Sequence, residues 1–188
     1  MSTSKKILES IALPEGVHAE VEGYLIKLKG PKGNVERKLY HPSVKISATS
    51  NSITIEPVAK KYTKNVKRML RTLKAHLKNM VIGVSEGYTY NLKIVSGHFP
   101  MNVALDGNRI VVKNFLGEKV PRVANVLINV KATIKGDEIK IESIDKEAAG
   151  QSAANLETAT RITKRDRRIF QDGIYITEKP KRLYKWIW

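Results

Sequence analysis

The chain has 188 residues, with 34 Lys plus Arg against 18 Asp plus Glu, a formal net charge of +16 and no cysteine. That balance points to nucleic acid or an anionic surface as partner, and it excludes disulfides, a thiol nucleophile and a cysteine-based zinc site. With 41% hydrophobic residues there is material for one or two compact cores. No run reaches the roughly 18 apolar residues of a membrane span, and positions 1–10 carry no secretory pattern, so a soluble cytosolic protein with no membrane partner is expected.

In chain order, a tail over 1–10 precedes a first repeat over 11–87. Alternating β-branched stretches predict strands over 21–28, 35–39, 44–48 and 53–56, with the turn Gly30-Pro31-Lys32-Gly33-Asn34 between two of them. That turn lacks the Gly-Lys-Ser/Thr ending and the strand-to-helix setting of a nucleotide loop, so it reads as a hairpin turn. A helix is predicted over 58–82. It falls in a stretch with no acid between Glu56 and Glu86, yet with eight bases. On a 3.6-residue period Tyr62, Val66, Met69, Leu70, Leu73, Leu77, Met80 and Val81 form an apolar stripe, and Lys60, Lys64, Lys67, Arg71, Lys74 and Lys78 form a cationic one opposite. Like charges at i,i+3 and i,i+4 repel, so this secondary cationic face suits an external polyanion or acidic neighbour.

The second repeat is placed over 88–179. Strands are expected over 88–96, 103–105, 109–113, 119–123, 127–134 and 138–142, then a helix over 147–170 and a strand over 174–177, with a tail over 180–188. The two repeats are one pattern written twice. An offset of 84 aligns Val21-Glu22-Gly23 with Leu105-Asp106-Gly107, Ile26 with Ile110 and Gly33 with Gly117. An offset of 86 aligns Ile53 and Ile55 with Ile139 and Ile141, Leu70 with Leu156, and Glu86-Gly87 with Asp172-Gly173. The expected fold class is α+β: an internal duplication of two similar domains, each a small antiparallel sheet with one packed helix.

Both repeats are cationic, but in the second the charge moves out of the helix start to Arg161, Lys164, Arg165, Arg167 and Arg168. A further group, Lys179, Lys181, Arg182 and Lys185, lies in the tail among Tyr184, Trp186 and Trp188. Arginine beside aromatics suits RNA, because guanidinium planes both stack on bases and meet phosphates. No catalytic group assembles. His18, His41, His76 and His98 are scattered without metal-ligand spacing, and Asp166 and Asp172 sit among arginines, where ion pairing or capping outranks acid-base work. No enzyme, metal, cofactor or small-molecule substrate is expected. On charge alone, an architectural DNA-binding or nucleoid protein is the alternative.

Five strings are more specific: Asn79-Met80-Val81-Ile82-Gly83-Val84, Glu86-Gly87-Tyr88, His98-Phe99-Pro100, Asn114-Phe115-Leu116-Gly117-Glu118-Lys119, and Arg167-Arg168-Ile169-Phe170-Gln171-Asp172-Gly173-Ile174-Tyr175. Together they closely resemble the large ribosomal subunit protein family numbered six in bacteria and nine in eukaryotes, in its archaeal and eukaryotic form. The resemblance runs from about residue 13 to residue 179. It implies binding of 23S-type rRNA near the translation-factor site and the sarcin-ricin loop, with neighbouring large-subunit proteins as partners. It also implies that the second repeat is the main rRNA-binding half. Carried onto this chain, that favours Lys164, Arg165, Arg167 and Arg168, with Lys113 and Lys119 beside the 114–117 turn, while Lys179, Lys181 and Arg182 follow. The tail with Trp186 and Trp188 matches no part of the family pattern.

Overall fold

The structure, a computed structural model, describes residues 9–49, 51–58 and 63–180. The chain divides into two compact units at Gly87/Tyr88. In the first, β1 (Glu9–Ala12), β6 (Ser52–Pro57) and β5 (Val44–Thr49) form one antiparallel sheet in the order β1-β6-β5. The strands β2 (His18–Glu22), β3 (Leu25–Gly30) and β4 (Gly33–Lys38) form a second. The expected strand over 21–28 is therefore two strands. Gly23, at φ 62°, makes a left-handed turn that reverses the chain, a conformation glycine adopts without a Cβ clash. Its repeat partner Gly107 has φ 56° and turns the second unit in the same way. β1 takes in Glu9 and Ser10, which the sequence placed in the tail, because Ile11 finds a buried place opposite Ile53.

The alternation of β3 follows from burial: Ile26 and Leu28 are fully enclosed while Lys27 and Lys29 point outward to Glu22 and Glu20 at 2.9 and 3.2 Å. Against these sheets lies α1 (Lys64–Ser85). Thr63 caps it by accepting the Val66 N–H, and the turn at Gly87 (φ 79°) closes it with Gly87 N–H bonded to the Gly83 carbonyl at 3.0 Å. Val66, Leu70, Leu73, Leu77, Met80, Val81 and Val84 are buried. Each large side chain removed from water contributes about 1.5–3 kcal/mol, so this face, not propensity, holds a helix crowded with like charges. The helix begins later than residue 58; Lys60 and Tyr62, the first members of the two stripes, lie outside the described residues.

In the second unit β11 (Val130–Lys135), β12 (Glu138–Ser143), β7 (Tyr88–Val95) and β13 (Gly173–Glu178) form a four-stranded antiparallel sheet in the order β11-β12-β7-β13. A second sheet runs β10 (Arg122–Asn125), β9 (Arg109–Lys113), β8 (Asn102–Asp106). Each unit thus holds two small sheets and not one. The core gathers Leu92, Ile110, Val112, Phe115, Ile139, Ile141, Leu156 and Ile174. The repeat is closest where it governs packing: Ile26 and Ile110, Leu28 and Val112, Ile53 and Ile139, Ile55 and Ile141, and Leu70 and Leu156 are all at most 1% exposed.

α2 spans Lys146–Ala159, capped by Asp145, and presents the small residues Ala149, Ser152 and Ala153 with Leu156 to the sheet. It ends eleven residues before the expected end at 170. Thr160 Oγ1 donates to the Leu156 carbonyl and accepts the Ile174 N–H at 3.0 Å, which turns the last helical residue toward β13. Arg122 donates to the carbonyls of Ala159 and Arg161 at 2.9 and 3.0 Å and so supplies the donors that a further helical turn would have given. The chain then leaves through Lys164 at φ 60° and a turn in which Phe170 N–H bonds the Asp166 carbonyl. Among the described residues no helix is long and apolar enough to cross a membrane.

Candidate nucleic-acid interface

Three segments of the second unit meet at one end of the four-stranded sheet. Residues 96–100 follow β7, residues 114–121 follow β9, and residues 160–172 link α2 to β13. Asp172 joins the first to the third. Its carboxylate accepts the backbone N–H groups of Gly97 and His98 and pairs with His98 Nδ1 at 2.7 Å. Burial pushes this carboxyl up, but the hydrogen bonds from His98 and Gly97 outweigh it and hold its pKa below the ordinary value of 3.8. The His98 ring also packs on Phe170, centroids 4.8 Å apart. Asn114 joins the first segment to the second by donating to the Pro100 carbonyl at 3.0 Å.

The second segment is a tight left-handed turn, with Asn114, Leu116 and Gly117 at φ 60°, 49° and 78°. Burial of Phe115 and Leu116 over-determines that strain. The side chains on either side, Lys113 and Lys119, are left exposed. Arg122 holds this turn to the third segment. Its guanidinium sits 4.2 Å over the Phe115 ring, forks onto Glu118 at 2.8 and 2.6 Å, and reaches the carbonyls at the end of α2. The hydrogen bond from Arg122 holds the Glu118 carboxyl below its usual pKa, against a smaller upward push from burial, and the charges of Arg122 and Arg165 add to the lowering.

On this framework Lys164, Arg165 and Arg167 are exposed, with the Arg165 guanidinium 5.0 Å from the Phe170 ring centre. Arg168 is exposed too, but its head group is engaged by Asp166 at 2.9 Å, and those bonds depress the Asp166 pKa. Lys113, Lys119, Lys164, Arg165 and Arg167 are thus gathered by the three segments as a cationic rim. The acids within the rim, Glu118 and Asp166, are held ionised by arginine, and the exposed cations around them have the chemistry to meet phosphates. Lys179 is not part of it. Register pairs Gly173 with Val95 and Glu178 with Asn91, so Lys179 leaves the sheet at its far end. Lys181 and Arg182 lie outside the described residues, as do Trp186 and Trp188.

Sequence reasoning passed over Arg122, which builds the rim without belonging to it. It lies in an unremarkable alternating stretch, and only its distant partners identify it. Phe99 is 40% exposed, and its ring lies 3.6 Å from where a Cβ on Gly117 would stand, so it adds an aromatic surface beside Lys113 and Lys119. In the first unit Lys64, Lys67, Arg71 and Lys78 are exposed along α1, whereas Lys74 is half-buried and paired with Glu9. Lys60 is outside the described residues.

A family model described as Ribosomal protein L6 matches the chain twice, over residues 13–87 and 99–173. The chain is 45% identical to the large ribosomal subunit protein uL6 of Methanosarcina mazei over 93% of its own length and 98% of the relative's. It is 44% identical to uL6 of Methanobrevibacter smithii, over 95% and 99% of the two chains. With uL6 of Methanothrix thermoacetophila the identity is 41%, over 93% and 98%.

Proposed function

The chain belongs to the ribosomal protein L6 family, and from this premise we propose that it is a non-enzymatic structural constituent of the large ribosomal subunit. It binds 23S-type rRNA near the translation-factor site and the sarcin-ricin loop, beside neighbouring large-subunit proteins. The second unit is the main contact. Lys113, Lys119, Lys164, Arg165 and Arg167 meet phosphates, Arg168 joins them once drawn from Asp166, and Lys179, Lys181 and Arg182 add further phosphate contacts.

One observation supports this assignment above the others: three loops distant in sequence are pinned together by Asp172 and Arg122, with their basic side chains left exposed. A rigid array of cations reads the shape of a folded RNA better than its sequence. Duplex DNA has a different groove geometry. A nucleoid protein would need no such locked arrangement.

Sedimentation tests the reading. The tagged chain is expected to travel with large subunits through a high-salt wash, and an excess of duplex DNA should not displace it from a large-subunit rRNA fragment. Release into the wash together with equal competition by DNA would favour the nucleoid alternative.

A further inference from the structure

We propose that the outer face of α1 is a second RNA-binding surface, one that lies along an rRNA phosphate backbone. The inference rests on the ribosomal reading above and assigns the first unit a direct RNA contact of its own. Lys64, Lys67, Arg68, Arg71 and Lys78 are all exposed on this helix. At 1.5 Å per residue they extend over about 21 Å of its axis, long enough to follow several successive phosphates. Lys74 is tied to Glu9, and among the described residues it is the only one of these six bases in an ion pair.

The fold does not need this charge. α2, the corresponding helix of the second unit, turns Gln151, Glu157 and Thr158 to solvent and still buries Ala149, Ser152, Ala153 and Leu156. Five like charges within about four turns repel one another, so a polyanion stabilises this surface by neutralising them. No acid occurs anywhere from residue 57 to residue 85 to oppose an approaching phosphate.

The same face argues against an acidic protein as occupant. The core of a protein interface is depleted of charge and supplied with apolar anchors, whereas nucleic-acid interfaces are polar and strongly basic. Among the described residues of α1 no large hydrophobic side chain is exposed. Instead a shallow groove of about 540 Å³ lies on the helix, lined by Lys64, Lys67, Arg68 and Arg71 together with the short side chains of Thr72 and Ala75. Short side chains among the bases leave room for a phosphodiester backbone, whose oxygens the bases reach.

The test uses the full chain and a transcript of large-subunit rRNA, with affinity measured across a salt series. The variants are Lys64→Gln/Lys67→Gln/Arg71→Gln and the corresponding triple change to Glu. Every phosphate that is no longer neutralised makes the slope of log affinity against log salt shallower by about 0.7–0.9, so the Gln variant is expected to lose about 2 in slope and about tenfold in affinity, and the Glu variant more. Thermal melts of both variants should match or exceed the parent's, because like-charge repulsion is relieved. Parent affinity and slope in both variants would overturn the α1 assignment while leaving the ribosomal reading intact. A parent that fails to bind the transcript would sink both. Carbodiimide cross-links from Lys64 and Lys67 to protein carboxylates in assembled subunits, with an unchanged RNA slope, would give the face to an acidic protein instead.

Discussion

Asp172 holds His98 across 74 residues of sequence, its Oδ2 lying 2.7 Å from the ring Nδ1 while Oδ1 accepts the His98 backbone N–H at 2.9 Å. This pairing locks the loop after β7 to the segment that enters β13, and with it the orientation of the basic rim. Asp172 is 1% exposed, so its hydrogen bonds have no competing water.

Asp172→Asn should destabilise the second unit by about 2–3 kcal/mol, because an amide cannot accept all three donors and leaves one buried and unmet. Its depressed pKa gives this carboxylate a stabilising contribution that is complete above the ordinary value of 3.8 and is lost as pH falls through the lower folded value. Chemical denaturation across pH 2–5 is expected to show the parent losing stability toward the acid end more steeply than Asp172→Asn. Parallel curves would exclude Asp172 as the source.

Arg122→Lys should cost about 1–2 kcal/mol, since an ammonium cannot fork onto Glu118, cover the Phe115 ring and reach two carbonyls together. Arg122 is placed as a positioning residue, not a phosphate ligand. Its replacement should therefore lower rRNA affinity without changing the salt slope. A shallower slope would mean that Arg122 itself meets phosphate.

Gly30→Ala should destabilise the first unit by about 1–3 kcal/mol. A Cβ at Gly30 would lie 2.7 Å from the Val84 carbonyl oxygen, where the β3–β4 hairpin docks on the last turn of α1 and Lys32 N–H bonds that same oxygen at 3.0 Å. Backbone on both sides leaves nothing flexible to yield. A melting temperature equal to the parent's would contradict this close approach.

Charge reversal at Arg165, Arg167 and Arg168 is expected to weaken binding of a large-subunit rRNA fragment more than reversal at Lys64, Lys67 and Arg71. Within the first set Arg168→Glu alone should matter less than Arg167→Glu, because Asp166 already engages Arg168. Filter binding of the two triple variants decides the order. Equal or inverted losses would refute it.

Much of the fold was legible. The repeat, both helix positions and most hairpins were carried by local signals: alternation, the apolar stripe of α1, and glycines at 23, 33, 107 and 117 that the structure holds at positive φ. What failed were boundaries set by distant groups. The end of α2 depends on Arg122 and on the Ile174 N–H, neither of which lies near Thr160 in sequence. A basic, otherwise helix-compatible stretch from Arg161 to Arg168 therefore read as more helix.

The candidate site divides in the same way. Composition and the charge runs pointed to a polyanionic partner, because net charge and its clustering are properties of the chain whatever its fold. Family motifs then singled out the second repeat. Which cations share a surface was decided only in three dimensions: Lys113 and Lys119 joined Arg165 and Arg167 through Asp172, Asn114 and Arg122, while β13 carried Lys179 to the opposite end of the sheet. Local patterning is written in neighbouring residues and survives in the sequence alone. The meeting of loops rests on hydrogen bonds between residues far apart, and these exist only once the cores have closed.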